Sequence, residues 1–207
     1  PTIIAATYTD PTPSSQLPQQ HHDVIHGKLI GWADVKEFGA VGDGVTNDTG
    51  RIQAAVDSIA ATGGALIFPP GTYLVGTPGI ILPGAPSGLK RMLVSGYGAT
   101  IKATTAISMI KRNTPPDMTN AGNMLNYQFH FEGLNFLGDA DSGQIGLDLW
   151  ATYGATVRDC WFEDCDVGFR NTFGLMTRID SCLEKRCVTH GFYSRSGNGL
   201  WSGASAP

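Results

Sequence analysis

Six charged or titratable residues near the C-terminal end of the chain could do chemistry. Glu163, Asp164 and Asp166 crowd one short segment, Glu184 follows about twenty residues later, and His190 and Arg195 come soon after. Two carboxyls held roughly 5–9 Å apart can hydrolyse a glycosidic bond. A base facing a cation can instead remove an acidic sugar proton and hold the carbanion that results. Four aromatics lie among them, Trp150, Tyr153, Trp161 and Tyr193, and an outward ring of this kind can stack on a sugar. Each feature also has a plainer reading. Asp159, Asp180 and the Glu163–Asp166 run suit polar turns, His190 suits an exposed turn, and Trp161 suits the cover of a flank. His130 lies between Phe129 and Phe131 and points outward if that segment is a strand.

The elements that would position these residues repeat. Val157-Arg158-Asp159-Cys160 lies over Ile179-Asp180-Ser181-Cys182 at an offset of 22, and Cys165 lies over Cys187 at the same offset. Ile145-Gly146-Leu147 lies over Val167-Gly168-Phe169 at 22, and Gly168-Phe169 over Gly191-Phe192 at 23. Phe131 and Phe136 lie over Val157 and Phe162 at 26, with the four extra residues in the polar loop Gly138-Asp139-Ala140-Asp141. Short strands and Gly/Asp turns at this period are the mark of a β-solenoid, whose coils stack about 4.8 Å apart and bury a continuous core. The leucine pattern of a leucine-rich repeat is absent.

Stacking accounts for the four cysteines as small inward residues, Cys160 below Cys182 and Cys165 below Cys187. Reduced thiols, one or more disulfides, and a metal site all remain open, although the spacing is not that of zinc ligands. The same register sets Glu184 over the apolar Phe162. The expectation is a bulge that shifts Glu184 out of the column, because an unpaired buried carboxylate is costly. The alternative is a buried Glu184 paired with Lys185 or Arg186.

Composition agrees with a turn-rich β protein: 207 residues, 27 glycines, 42% hydrophobic and only 15% charged residues. A net charge of −4 provides no basic patch for nucleic acid or anionic lipid. No run approaches the roughly 20 apolar residues of a membrane span. No cofactor or metal is expected. Residues 1–31, rich in Pro, Thr, Gln and His, read as an extended arm for anchoring or assembly. The Pro1-Thr2 start, without a visible signal peptide, points to cytoplasmic synthesis. Residues 76–207 read as coils, residues 111–123 as an inserted loop, and residues 194–207 as an open end, which suggests part of a longer protein.

Between arm and coils, residues 32–75 contain a short strand at Val35-Lys36-Glu37-Phe38 and a turn-rich loop at Gly39–Gly44. A single amphipathic helix follows at about 50–61, with Ile52, Ala55, Val56 and Ile59 on one face. Asp48 or Thr49 can cap that helix and Gly63 can end it. The run Val35 to Thr49, with Gly42, Asp43, Gly44, Asp48 and Thr49, then the helix, then Phe68-Pro69-Pro70-Gly71-Thr72-Tyr73, resembles the N-terminal signature of the pectate-lyase-like superfamily. That superfamily includes rhamnogalacturonase/epimerase-like domains and many phage tailspikes. The resemblance implies an all-β fold, a right-handed parallel β-helix with one capping helix at its N-terminal end. It assigns Asp43, Asp48, Pro70 and Gly71 to the cap rather than to catalysis. One scaffold of this kind carries many functions. The expected function is a homotrimeric phage tailspike or tail-fibre subunit, joined to other virion tail proteins through residues 1–31. It would recognise host-surface polysaccharide and sit in the virion tail, with depolymerase activity in the full protein left open and its active site then allowed to lie outside this segment. The alternatives are a secreted polysaccharide lyase or hydrolase and a purely structural assembly protein.

Overall fold

The computed structural model describes residues 31–84, 90–112, 127–140 and 143–195. The chain winds as β1 (Trp32–Asp34), β2 (Asp43–Asn47), α1 (Thr49–Ile59), β3 (Gly64–Ile67), β4 (Gly71–Leu74), β5 (Ile80–Ile81), β6 (Lys90–Lys102) and β7 (Ser108–Lys111). It continues as β8 (Tyr127–Leu137), β9 (Ile145–Trp150), β10 (Thr156–Arg158), β11 (Trp161–Glu163), β12 (Val167–Thr172), β13 (Arg178–Asp180), β14 (Leu183–Lys185) and β15 (His190–Arg195). Strands pair with their equivalents one coil away, always in parallel. One sheet runs β1-β3-β6-β8-β10-β13, with β2, β4, β11 and β14 beside that path, and the other runs β5-β7-β9-β12-β15. This is a parallel β-helix.

Inward residues stack in vertical columns, whose buried members form the core. Ala33, Leu66, Val94, Phe131, Val157 and Ile179 form one. Tyr73, Ile101, Phe136, Phe162 and Glu184 form a second, and Ile80, Ile110, Leu147, Phe169 and Phe192 a third. The Phe136 and Phe162 rings stack with centroids 5.0 Å apart. Gly168 makes room for them, since a Cβ there would lie 2.8 Å from the Cβ of Phe162 and 2.6 Å from the carbonyl oxygen of Gly191.

The helix closes one end. Its Ile52, Ala55, Val56 and Ile59 are buried, and it also stands in for a strand. The Gln53 side chain accepts from the Ile81 amide at 2.8 Å and donates to the Ile81 carbonyl at 3.0 Å. The edge of β5 is therefore bonded instead of open. No helix among the described residues is long and apolar enough to cross a membrane.

Several local expectations are corrected. The strand at the start is Trp32–Asp34, and Val35 to Gly39 form a turn, because the Asp34 carboxylate accepts the Lys36 amide at 2.8 Å and the Ala40 amide bonds back to Val35. Asp43 and Gly44 open strand β2 instead of lying wholly in a loop. The Asp48 side chain does not cap α1. Both its oxygens face backwards, accepting the amides of Val41 at 2.8 Å and Gly42 at 2.9 Å. Asn47 takes over at the helix start, accepting from the Thr49 amide and hydroxyl. Gly63 does adopt the left-handed conformation, with φ +76°. Apart from Gly31, the arm at 1–31 lies outside the described residues, as do most of the 111–123 loop and residues 196–207.

Candidate functional site

Parallel register places outward residues in columns as strictly as inward ones. Thr100, Asn135, Trp161 and Leu183 form one outward column on the sheet that carries β11, and Leu137, Glu163 and Lys185 form the next. Trp161, 37% exposed, rises beside Glu163 to wall a shallow groove of about 280 Å³ lined by Thr100, Asn135, Phe136, Leu137, Trp161 and Glu163. An indole face flanked by an amide, a hydroxyl and a carboxylate suits a ring with one apolar face and polar edges.

The acidic residues are tied down. Glu163 accepts from Lys185 at 2.8 Å and from Arg186 at 2.8 Å, and Asp164 accepts from Arg186 at 2.6 Å. The pairing follows from the repeat. Asp164 (φ 54°) and Arg186 (φ 55°) take the same left-handed turn one coil apart, so their side chains leave the backbone in parallel. Hydrogen bonds from Lys185 and Arg186 hold the Glu163 and Asp164 carboxyls below their ordinary pKa range. A general acid for glycoside cleavage needs the opposite, a carboxyl raised by burial or a like charge. The same ladder recurs lower down, Glu132 with Arg158 at 2.7 Å and Asp148 with Arg170 at 2.5 Å. Asp166 is committed to the loop below and the coil above, accepting from the Gly143 amide and the Thr189 hydroxyl.

Glu184 corrects the expectation of a bulge. It pairs in register with Phe162 and leans over Gly191 as Phe162 leans over Gly168. The added residue enters later, at Val188-Thr189: the Val188 amide bonds Cys165, while the amides of both Thr189 and His190 bond Asp166. Glu184 is exposed in the last described coil. It takes neither Lys185 nor Arg186, which serve Glu163 and Asp164 instead.

The remaining residues do not converge. His190 and Arg195 stand at opposite ends of β15, on the sheet away from Trp161. Five residues of strand, roughly 16 Å, separate them, so they are not a base and cation at one centre. His190 instead lies against the Tyr193 ring, with centroids 5.1 Å apart. Trp150 and Tyr193 are on that same far sheet, and Tyr153 lies in the turn after β9, bridged to Leu175. His130 faces outward between buried Phe129 and Phe131, and partial burial lowers its pKa. All four cysteines are free thiols, and no group of three or more metal-ligating side chains occurs among the described residues.

The sequence reading missed Thr100, Asn135 and Leu137. Asn135 and Leu137 were within reach, because the 26-residue offset that sets Phe136 under Phe162 also sets them under Trp161 and Glu163. Thr100 was not, since residues 103–126 interrupt the period below Asn135.

Comparison with known proteins agrees with this fold. Residues 32–126 match the family described as Rhamnogalacturonase A/epimerase, pectate lyase-like. A mannuronan C5-epimerase of Azotobacter vinelandii, AlgE6, is 51% identical over 47 residues, 22% of this chain and 5% of that relative. The ORF18 protein of Geobacillus virus E2 superposes with TM-score 0.54 at 22% identity, over 81% of this chain and 35% of that one. PfbA, a surface adhesin of Streptococcus pneumoniae, superposes with TM-score 0.56 at 20% identity, over 73% of this chain and 38% of that one. The match spans 5% of the epimerase and little more than a third of the other two proteins.

Proposed function

We propose, for a chain that is pectate-lyase-like over residues 32–126 and in its fold, that it is a glycan-recognising β-helix of a phage tailspike or tail fibre. The observation that carries this reading is the Trp161 groove, an exposed indole in one column with Asn135 and Thr100 and beside Glu163. An epimerase that acts on mannuronan, a surface adhesin and a viral protein among the similar proteins support carbohydrate as the ligand and a surface or virion setting. Uncharged hexoses are favoured, because the wall carries Glu163 and its cations are already engaged by Glu163 and Asp164. Binding is favoured over cleavage, because Glu163 in the groove wall and its chain neighbour Asp164 are held ionised. The assembly is a homotrimer anchored through residues 1–31.

The test is an array of bacterial capsular and lipopolysaccharide glycans probed with the full chain, with sedimentation of the same sample. A trimer that retains a neutral glycan without degrading it supports the reading. A monomer that releases reducing ends or unsaturated uronate replaces it with a secreted polysaccharide-degrading enzyme.

A further inference from the structure

Tyr97 lies within β6, in the bend between its two halves, and its side chain is 56% exposed. Ser95 pairs with Glu132 and Ala99 with Leu134, so Gly96, Tyr97 and Gly98 together face the single residue Gly133 of the next coil. The surplus bulges out of the ladder and carries Tyr97 with it. Gly133 receives the ring. A Cβ at Gly133 would lie 2.6 Å from both Cγ and Cδ1 of Tyr97 and 2.8 Å from Cδ2. Three ring carbons at such similar distances mean that one face of the ring rests on the Gly133 backbone, which leaves the other face to solvent.

The ring is also held at its edge. Its hydroxyl donates to the Asp159 carboxylate, a further coil along, at 3.0 Å. Asp159 lies 3.6 Å from the Arg158 guanidinium, and Arg158 donates to Glu132 at 2.7 Å. Glu132 also accepts from the Ser95 hydroxyl at 3.1 Å. These residues belong to the coils of β6, β8 and β10, each of which has a coil on either side. The exposure of Tyr97 is therefore a property of the bend and not of an end of the stack.

We infer that Tyr97 is a second sugar-stacking subsite, continuous with the Trp161 groove, and that it takes a neighbouring neutral hexose of the same glycan chain. The inference rests on the groove reading above. An aromatic face already fixed in place loses little conformational freedom when a sugar settles on it. The Asp159 and Glu132 carboxylates can accept from sugar hydroxyls, and Arg158 can donate to a sugar oxygen. Two carboxylates against one guanidinium leave the rim negative, which disfavours an acidic sugar as the Glu163 wall does.

Position joins the two platforms. Gly133, under the Tyr97 ring, and Asn135, paired with Trp161, are two residues apart in β8, roughly 7 Å along the strand. Asp159, which holds the Tyr97 hydroxyl, comes two residues before Trp161. A glycan that used both rings would cross the coils at this bend instead of following the column Thr100–Asn135–Trp161.

The experiment titrates the full chain by calorimetry with neutral gluco-, manno- and galacto-oligosaccharides of increasing length, starting from the single sugar. It compares the wild type with Tyr97→Ala, Tyr97→Phe and Trp161→Ala. Tyr97→Leu, which keeps apolar cover over Gly133 without a ring face, replaces the alanine should that not fold. The expected result is a wild-type affinity that rises roughly tenfold once the chain is long enough to reach Tyr97. Tyr97→Ala abolishes that rise and leaves single-sugar binding unchanged, Tyr97→Phe keeps the rise, and Trp161→Ala weakens binding at every length. A rise that persists in Tyr97→Ala, with Trp161→Ala still weakened, would overturn the subsite and leave the groove reading standing. Equal weakening of single-sugar and longer-chain binding in Tyr97→Ala would make Tyr97 a support of the groove and overturn the subsite too. No binding at any length by the wild type would overturn both.

Discussion

Asp48, a cap residue near the N-terminal end, and Glu163, a catalytic candidate further along, are both carboxylates, and their partners set them apart. Asp48 is fully buried and spends both oxygens on backbone amides, those of Val41 and Gly42. Those amides cannot leave without unfolding the turn. Glu163 and Asp164 are held by Lys185 and Arg186, long side chains that are about half exposed. Those bonds can exchange with water, salt or a ligand. The first arrangement closes a fold, and the second leaves a charged wall beside an open groove. A β-helix thus separates its signature, which seals the end, from its working surface, which can change without disturbing that seal.

The comparison can be broken by mutation. Removing the apolar face of the cap has the largest effect: Ile52→Ala, at a fully buried position, costs about 4 kcal/mol in denaturant unfolding. Asp48→Ala costs about 3 kcal/mol, because two bonds to a charged group are lost and two amides are orphaned. On the outward ladder Arg158→Ala, whose side chain is 50% exposed beside Glu132, changes stability by less than about 1 kcal/mol. A large loss there would show that the outward ion pairs hold the fold as the buried carboxylate does.

Acid sharpens the contrast. Glu163 and Asp164 have folded pKa values below their ordinary 4.5 and 3.8, chiefly through hydrogen bonds from Lys185 and Arg186. A depressed folded value gives stability that is complete above the unfolded value and lost as pH falls through the folded one. Stability from this ladder should therefore be flat from neutrality to about pH 5 and decline below about pH 4. In Arg186→Ala the decline should be shallower, measured by circular dichroism across pH, and high salt should flatten it in the wild type. A profile unaffected by Arg186→Ala would remove the ladder from the account.

The columns were legible because a solenoid converts sequence offset into spatial neighbourhood. Offsets of 22 and 26 place Cys160 under Cys182 and Phe136 under Phe162, as the strand pairing shows. Polar assignments were harder to read. Asp48 stands where a cap belongs, and only the fold reveals that Asn47 takes that task while Asp48 reaches back to Val41. Glu184 looked like a misfit in an apolar column, and the sequence offered a bulge as the remedy. The chain instead keeps register and leaves Glu184 exposed in the last described coil. His190 and Arg195 are near in sequence, but an extended strand carries them apart. The groove partners Asn135 and Leu137 followed from an offset already in hand, whereas the longer coil below hid Thr100.

The most direct measurement of the central claim is equilibrium binding of a retained oligosaccharide to the wild type, Trp161→Ala and Trp150→Ala. Trp161 walls the groove, and Trp150 sits on the far sheet. The account predicts a loss of about tenfold or more for Trp161→Ala, with unchanged melting and no loss for Trp150→Ala. Equal affinity in the wild type and Trp161→Ala, or a loss confined to Trp150→Ala, would contradict it.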